Sequence, residues 1–421
     1  MILSALSTLA AVGCAGSEPE AKTDDDNNFS SNQATLLDME FDSTLTTDFS
    51  WNEKQTIQAQ LLYTIGHLNF DNSVGRLDAL ELSNVKSTTD ESTGKVTIAY
   101  HAKLPVAWGS KTNLPKSYDF RLPRDVSESA QEKFTESYKG ACVDHGAHDL
   151  DSGSMWYYYR PQNAGCTIND ADALKTTAKV TVSKLNTKAK YPEYHEIWKD
   201  NRLEVVTIFG KYEVGGADFD AGVRGFNQFV SSVKRTMGPS ATVTTASPVD
   251  VTMETTLPDG KVVKITALLV DAITSVWEGF DERYENLTES ADVIAYNGHA
   301  GLGQNVRALA KKGRWAKEKY QIFFMNGCDT FAYVDGALAQ TRSTLNRNDP
   351  SGTKYMEFVT NAMPSFFSSM PAASSALITG LLDYKSPKTY EDIFKGIDRA
   401  EVVLVTGEED NVFKPGMKIG K

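Results

Sequence analysis

The chain has 421 residues, 41% hydrophobic, 23% charged and 10% aromatic, a globular composition that excludes collagen-like, low-complexity and wholly disordered chains. Lys plus Arg is 43 against 55 for Asp plus Glu, giving a net charge of -12. There is no basic footprint for DNA or RNA, so nucleic acid is not an expected partner.

Ile2 to Val12 is apolar or small, about the length of a signal-peptide core, and ends in Ala11-Val12-Gly13-Cys14. This stretch resembles the lipobox of bacterial lipoproteins. The resemblance implies a signal peptide over 1–13, a lipidated mature N-terminus at Cys14, and a membrane partner through that lipid. Ala15 stands where an Asp would imply inner-membrane retention, so the implied address is the cell envelope, at the outer membrane, facing the periplasm or the surface. Residues 14–33 are rich in Gly, Ser, Asp and Asn around Asp24-Asp25-Asp26-Asn27-Asn28. They bury too little to offset their ordering entropy and read as a disordered tether.

From 34 to 200 the signals are those of a β-rich domain. Strand-like runs occur at Thr56 to Tyr63, Gly94 to Tyr100 and Thr177 to Ser183, with a helix at Ser127 to Tyr138. Cys142 and Cys166 flank an aromatic run at Met155 to Tyr159, read as a strand. An exported chain permits a disulfide between them, stabilising the domain by about 3 kcal/mol. With Cys14 lipidated, Cys328 is the odd thiol and calls for a function. His145 and His148 have a spacing that suits a metal only on a helical turn, and Gly146 between them favours a surface loop. No metal site is expected, and His67, His101 and His195 are read as structural.

From 201 to 421 apolar runs alternate with helical patterns. Strands are expected at Leu203 to Phe209, around the turn Pro258-Asp259-Gly260, at Asp292 to Tyr296, at Tyr320 to Met325 and at Glu401 to Thr406. Helices are expected at Phe226 to Met237, Val276 to Leu287 and Gln304 to Lys312. The uncharged stretch Phe358 to Leu382 is long enough to span a bilayer, but Pro364 and Pro371 interrupt it, and it is read as a buried broken helix. The expected class is α/β, a mostly parallel sheet with flanking helices, preceded by the β-rich domain.

Two of these strands end alike. One runs into Asn297-Gly298-His299 and the other into Asn326-Gly327-Cys328. Strand, helix, strand implies parallel strands whose carboxyl ends share one edge of the sheet, where ligands of such sheets sit. Neighbouring strands about 4.8 Å apart would bring His299 and Cys328 within reach of one substrate. A following helix near Thr330 would lower the thiol pKa through its dipole, while Asp329 would raise it. The backbone N–H groups of Ala300, Gly301 and Cys328 could hold an oxyanion.

An apolar strand ending near His-Gly, followed by one ending in a small residue and Cys, resembles the signature of caspase-fold cysteine peptidases, which include caspases, legumains, clostripain and gingipains. The resemblance spans roughly Asn201 to Thr406 and is nearest in layout to the gingipain type. It implies a caspase-like domain over 201–421, His299 as the proton-handling residue, Cys328 as the nucleophile, and a peptide or protein substrate cleaved as by an endopeptidase. If the strands before them run parallel to the central pair, Asp271, Glu408, Glu409 and Asp410 lie at the same edge and are candidates to receive a basic substrate side chain; the alternative is a solvated acidic loop. Gly298, Gly301 and Gly303 do not form a dinucleotide fingerprint, so no cofactor is expected. The other class left open is a non-catalytic envelope-binding or structural lipoprotein that keeps the fold.

Overall fold

The computed structural model describes residues 29–147, 150–334, 336–397, 399–407 and 411–420. β1 (Ser30–Ser31), read from sequence as the end of the tether, is instead a strand paired antiparallel with residues 404–405 near the other end of the chain. β2 (Thr35–Thr47) follows and buries Leu37, Met39, Phe41 and Leu45 on one face, the period of a half-covered strand.

α1 (Glu53–Leu61) corrects the strand expected at Thr56 to Tyr63. The Asn52 side chain accepts from Gln55 N–H at 3.1 Å, and Ile57, Gln60 and Leu61 turn inward at helical spacing. α2 (Tyr63–Asn69) continues it, and β3 (Val74–Gly75), β4 (Glu81–Thr89), β5 (Val96–Trp108), β6 (Ser117–Pro123) and the expected helix α3 (Glu128–Tyr138) come next. Met155 to Tyr159 is not a strand: α4 (Met155–Tyr158) is a single helical turn that buries Met155 and Trp156. Aromatic content alone carries no period, which is why it misleads. β7 (Ala173–Val182) completes an antiparallel six-stranded sheet in the order β3-β5-β2-β7-β6, with β4 also on β5.

Cys142 and Cys166 form the expected disulfide. Cys142 is buried in the core. Replacing both cysteines by serine should lower stability by about 3 kcal/mol, the loop-closure entropy returned to the unfolded chain. Urea denaturation of the pair variant against the parent reads this, and an unchanged midpoint would contradict it.

α5 (Tyr194–Ile197) lies in the segment leading to the second sheet. β8 (Arg202–Gly210) and α6 (Ala221–Met237) come next. The Asp220 side chain caps α6 through the N–H groups of Gly222 and Val223, and Phe226, Phe229, Val233 and Met237 form its inward stripe. β9 (Thr242–Ser247), β10 (Asp250–Thr256) and β11 (Val262–Val270) surround the expected turn at Pro258-Asp259-Gly260. The chain then runs through α7 (Phe280–Thr288), β12 (Val293–Asn297), α8 (Gln304–Lys312), β13 (Gln321–Asn326), α9 (Thr330–Tyr333), α10 (Ala337–Leu345), β14 (Met356–Asn361), α11 (Met370–Leu382), α12 (Tyr390–Ile393) and β15 (Val403–Gly407).

The nine strands lie in the order β1-β15-β14-β13-β12-β8-β11-β10-β9. β14, β13, β12, β8 and β11 run parallel, while β15 and β1 on one side and β10 and β9 on the other are antiparallel. The sheet is therefore mixed, which corrects the mostly parallel expectation. On one side short hairpin connections add β9 and β10 antiparallel without a crossover, whereas on the other β15 returns after α11 and α12 and β1 joins it from the start of the described chain. The stretch from Phe358 to Leu382 is likewise no single broken helix. Its first residues belong to the buried strand β14, its last form α11, and among the described residues no helix is long and apolar enough to cross a membrane.

One face of this sheet packs Phe209, Phe324 and Val359 against α6 and α11. The other packs Ile208, Phe323 and Met325 into a core continuous with that of the β-rich half. Lys190, between the halves, is buried with its Nζ 2.9 Å from Gly407 O and 3.2 Å from Glu357 Oε1. The hydroxyls of Tyr320 and Tyr390 donate to the other oxygen of Glu357. Burial raises the pKa of this carboxyl, against the pull of Lys190.

Candidate active site

Parallel pairing sets Asn297 of β12 opposite Asn326 of β13. Both are fully buried at the carboxyl edge, and Asn326 Nδ2 donates to Asn297 Oδ1 at 2.9 Å. Ser374 of α11 donates to the same oxygen at 2.9 Å, and Ser365 Oγ lies 2.6 Å from Asn326 Oδ1 and 3.0 Å from Glu401 Oε2. This buried polar network fixes the two strand ends relative to each other.

The turns that follow touch. Gly298 N–H donates to Asn326 O at 3.2 Å. A Cβ on Gly327 would stand 2.7 Å from Gly298 O and 3.4 Å from Ala300 N, so only glycine fits there. Gly327→Ala should force the turns apart and destabilise the protein by about 1–3 kcal/mol, because the obstruction is backbone. A thermal melt checks this, and a variant as stable as the parent would contradict it.

His299 is exposed, with Nε2 3.0 Å from Tyr212 O, in the loop after β8. A carbonyl oxygen can only accept, so Nε2 carries the proton and Nδ1 the lone pair of the neutral ring. The carbonyl of His299 is held by Tyr296 Oη–H at 2.8 Å and Asn305 Nδ2–H at 2.7 Å. Its ring packs against Phe367, 5.0 Å between centroids, and Tyr212, 5.2 Å.

Cys328 is the free cysteine among the described residues and is partly exposed, but its surroundings are crowded. Burial first, then the Asp329 carboxylate, push its thiol up to about 12, against a backbone N–H of Ser365. Of the two opposing effects expected, the raising by Asp329 prevails over the helix dipole. α9 has only four residues, too few for a sizeable end charge, and Asp329 occupies its cap position in a left-handed conformation, φ 51°. At neutral pH the resting sulfur is a thiol.

Asp329 itself was legible only as a neighbour of the cysteine. It is fully buried, accepting from Tyr157 Oη–H at 2.8 Å and from Asn69 Nδ2–H at 3.1 Å. Both partners come from the β-rich half, 172 and 260 positions away in the chain, beyond any local sequence signal.

The N–H groups of Ala300, Gly301 and Cys328 have no backbone carbonyl acceptor among the described residues. Asp271 lies 2.8 Å from Lys211 Nζ and accepts from Gly215 N–H at 3.2 Å. Lys211 holds this carboxyl below its usual range, so its charge is matched and it braces the loop carrying Tyr212. Glu408, Glu409, Asp410 and Cys14 lie outside the described residues, as does His148. The strand before the acidic cluster corrects the expectation of a shared edge: β15 runs antiparallel to β14 and ends with Gly407 opposite Glu357, at the rim away from His299 and Cys328. Among the described residues, no group of three or more His, Cys, Asp or Glu side chains could hold a metal ion. Comparison with protein-family models, curated proteins and solved structures finds no match.

Proposed function

We propose that the chain is a cysteine-dependent peptidase with a caspase-like arrangement, reacting through Cys328 and His299. The observation that carries this reading is the contact between the two strand-end turns, with His299 Nε2 committed to Tyr212 O and Nδ1 left to accept a proton. The Cys328 sulfur attacks the scissile carbonyl carbon as its proton passes to His299 Nδ1, which makes proton transfer part of the attack and needs no resting thiolate. The oxyanion is received by backbone N–H groups of Ala300 or Gly301 and of Cys328. His299 returns the proton to the leaving amine, and water then hydrolyses the thioester, restoring the thiol and releasing a carboxylic acid.

Export and anchoring through Cys14 belong to the same proposal, at the outer-membrane level of a cell envelope. The Cys142–Cys166 disulfide supports an oxidising compartment. The thiol pushed up to about 12 favours a second reading, a binding protein that keeps the arrangement without turnover. Hydrolysis of a mixed peptide library by the wild type and by Cys328→Ala separates the two. Activity confined to the wild type supports the peptidase, and equal activity rules it out.

A further inference from the structure

We infer that Asp329 is a positioning residue held by the β-rich half of the chain, and that its charge controls the reactivity of the adjacent Cys328 sulfur. The inference concerns the same site as the proposed peptidase, yet it stands on geometry that requires no turnover. Asp329 occupies a left-handed turn between the cysteine and α9, with its side chain fully buried. Tyr157 of α4 donates to one carboxylate oxygen and Asn69 of α2 to the other. Arg160 completes the clamp: its Nη2 lies 3.4 Å from Asn69 Oδ1, and its Nη1 donates to Gly66 O, Tyr157 O and Tyr159 O. The amide of Asn69 is thus polarised between a guanidinium and the carboxylate.

Arg160 is in turn fixed to the disulfide-bearing segment, since its backbone N–H donates to Cys142 O at 2.8 Å. A rigid chain of contacts therefore runs from the β-rich half to the residue beside the sulfur. The ionisable groups facing Asp329 are Tyr157 and Tyr333, both held protonated by burial, together with Arg160 and Cys328. Burial pushes the Asp329 carboxyl up to about 6, against the lowering effects of Tyr157, Arg160 and Asn69. Below that pH the carboxyl is neutral and the thiol ionises more readily. Above it a buried negative charge sits next to the sulfur and suppresses the thiolate.

The test uses the full chain with Cys14→Ser, which leaves Cys328 as the single free thiol beside the intact disulfide, and 2,2′-dithiodipyridine as the thiol probe from pH 4 to 9. The logarithm of the rate should rise with pH and flatten near pH 6 as Asp329 ionises. In Asp329→Asn, which removes the charge, keeps one of the two acceptor oxygens and tolerates the left-handed turn, the flattening should vanish and the rate at pH 8 should rise about tenfold, one pKa unit of thiolate. Tyr157→Phe removes a donor to the carboxylate and should move the flattening to higher pH. This variant carries the test if Asp329→Asn does not fold. A mere loosening of the loop would raise the rate at every pH and leave the flattening in place. A straight wild-type profile, or one whose bend survives Asp329→Asn or stays put in Tyr157→Phe, overturns the inference. A bend that behaves as described in a protein that hydrolyses no peptide sustains the clamp and removes the peptidase reading alone.

Discussion

Cys328→Ala is expected to lower kcat on a responsive peptide by about 10³-fold or more, because without the sulfur only binding and oxyanion contacts remain. His299→Ala should fall to a similar level, since an unassisted thiol with a pKa pushed up to about 12 is almost wholly protonated at neutral pH. The double variant should be hardly worse than either single one, as is usual for groups that act as a unit. Initial rates at saturating peptide, with the folded fraction checked by circular dichroism, read all three. Rates in the single variants within a factor of two of wild type would remove both residues from the reaction. Because His299 is exposed, its replacement should cost only about 1–2 kcal/mol, the loss of one hydrogen bond to Tyr212 O and of the ring contacts with Phe367 and Tyr212.

Lys190→Met should cost about 3–5 kcal/mol at pH 8, the largest stability change expected outside the hydrophobic core. The substitution keeps the volume of the stem but leaves the Glu357 carboxylate buried without its cation. Two tyrosine hydroxyls still donate to that carboxylate, which limits the loss without replacing the charge. The sign of the pH dependence follows from the raised folded pKa of Glu357. A carboxyl raised in the folded state contributes stability that is present below its unfolded value, near 4.3, and is lost as pH rises through the folded one. Removing Lys190 raises that folded value further, so the deficit against wild type should be smaller at pH 5 than at pH 8. Guanidinium denaturation at both pH values measures it, and an equal deficit at both would refute the ion-pair account.

The second half of the chain was the more readable in sequence. Leu203 to Phe209, Asp292 to Tyr296 and Tyr320 to Met325 are apolar runs because strands covered on both faces admit no alternation, and each is a strand here. The strand, helix, strand rule then set His299 and Cys328 on neighbouring carboxyl ends. What escaped was the backbone: the carbonyl of Tyr212 that fixes the His299 tautomer has no signature in a side-chain pattern. The β-rich half misled where composition imitated a period. Thr56 to Tyr63 alternates by chance, whereas Asn52 before Ile57 and Leu61 held the helical signal. The clamp on Asp329 joins residues from three distant segments, and a single sequence carries no trace of such pairing.

Ser30 and Ser31 close the rim of β15, with Ser31 Oγ donating to Val403 O at 2.7 Å. A tensile load arriving along the backbone from the N-terminal direction is borne first by this two-residue ladder and by the bonds between Phe29 and the Leu185–Thr187 segment. Traction there would peel the margin of the nine-stranded sheet and expose β15 to a foreign strand, while β13 and its sulfur, two strands further in, would feel the force last.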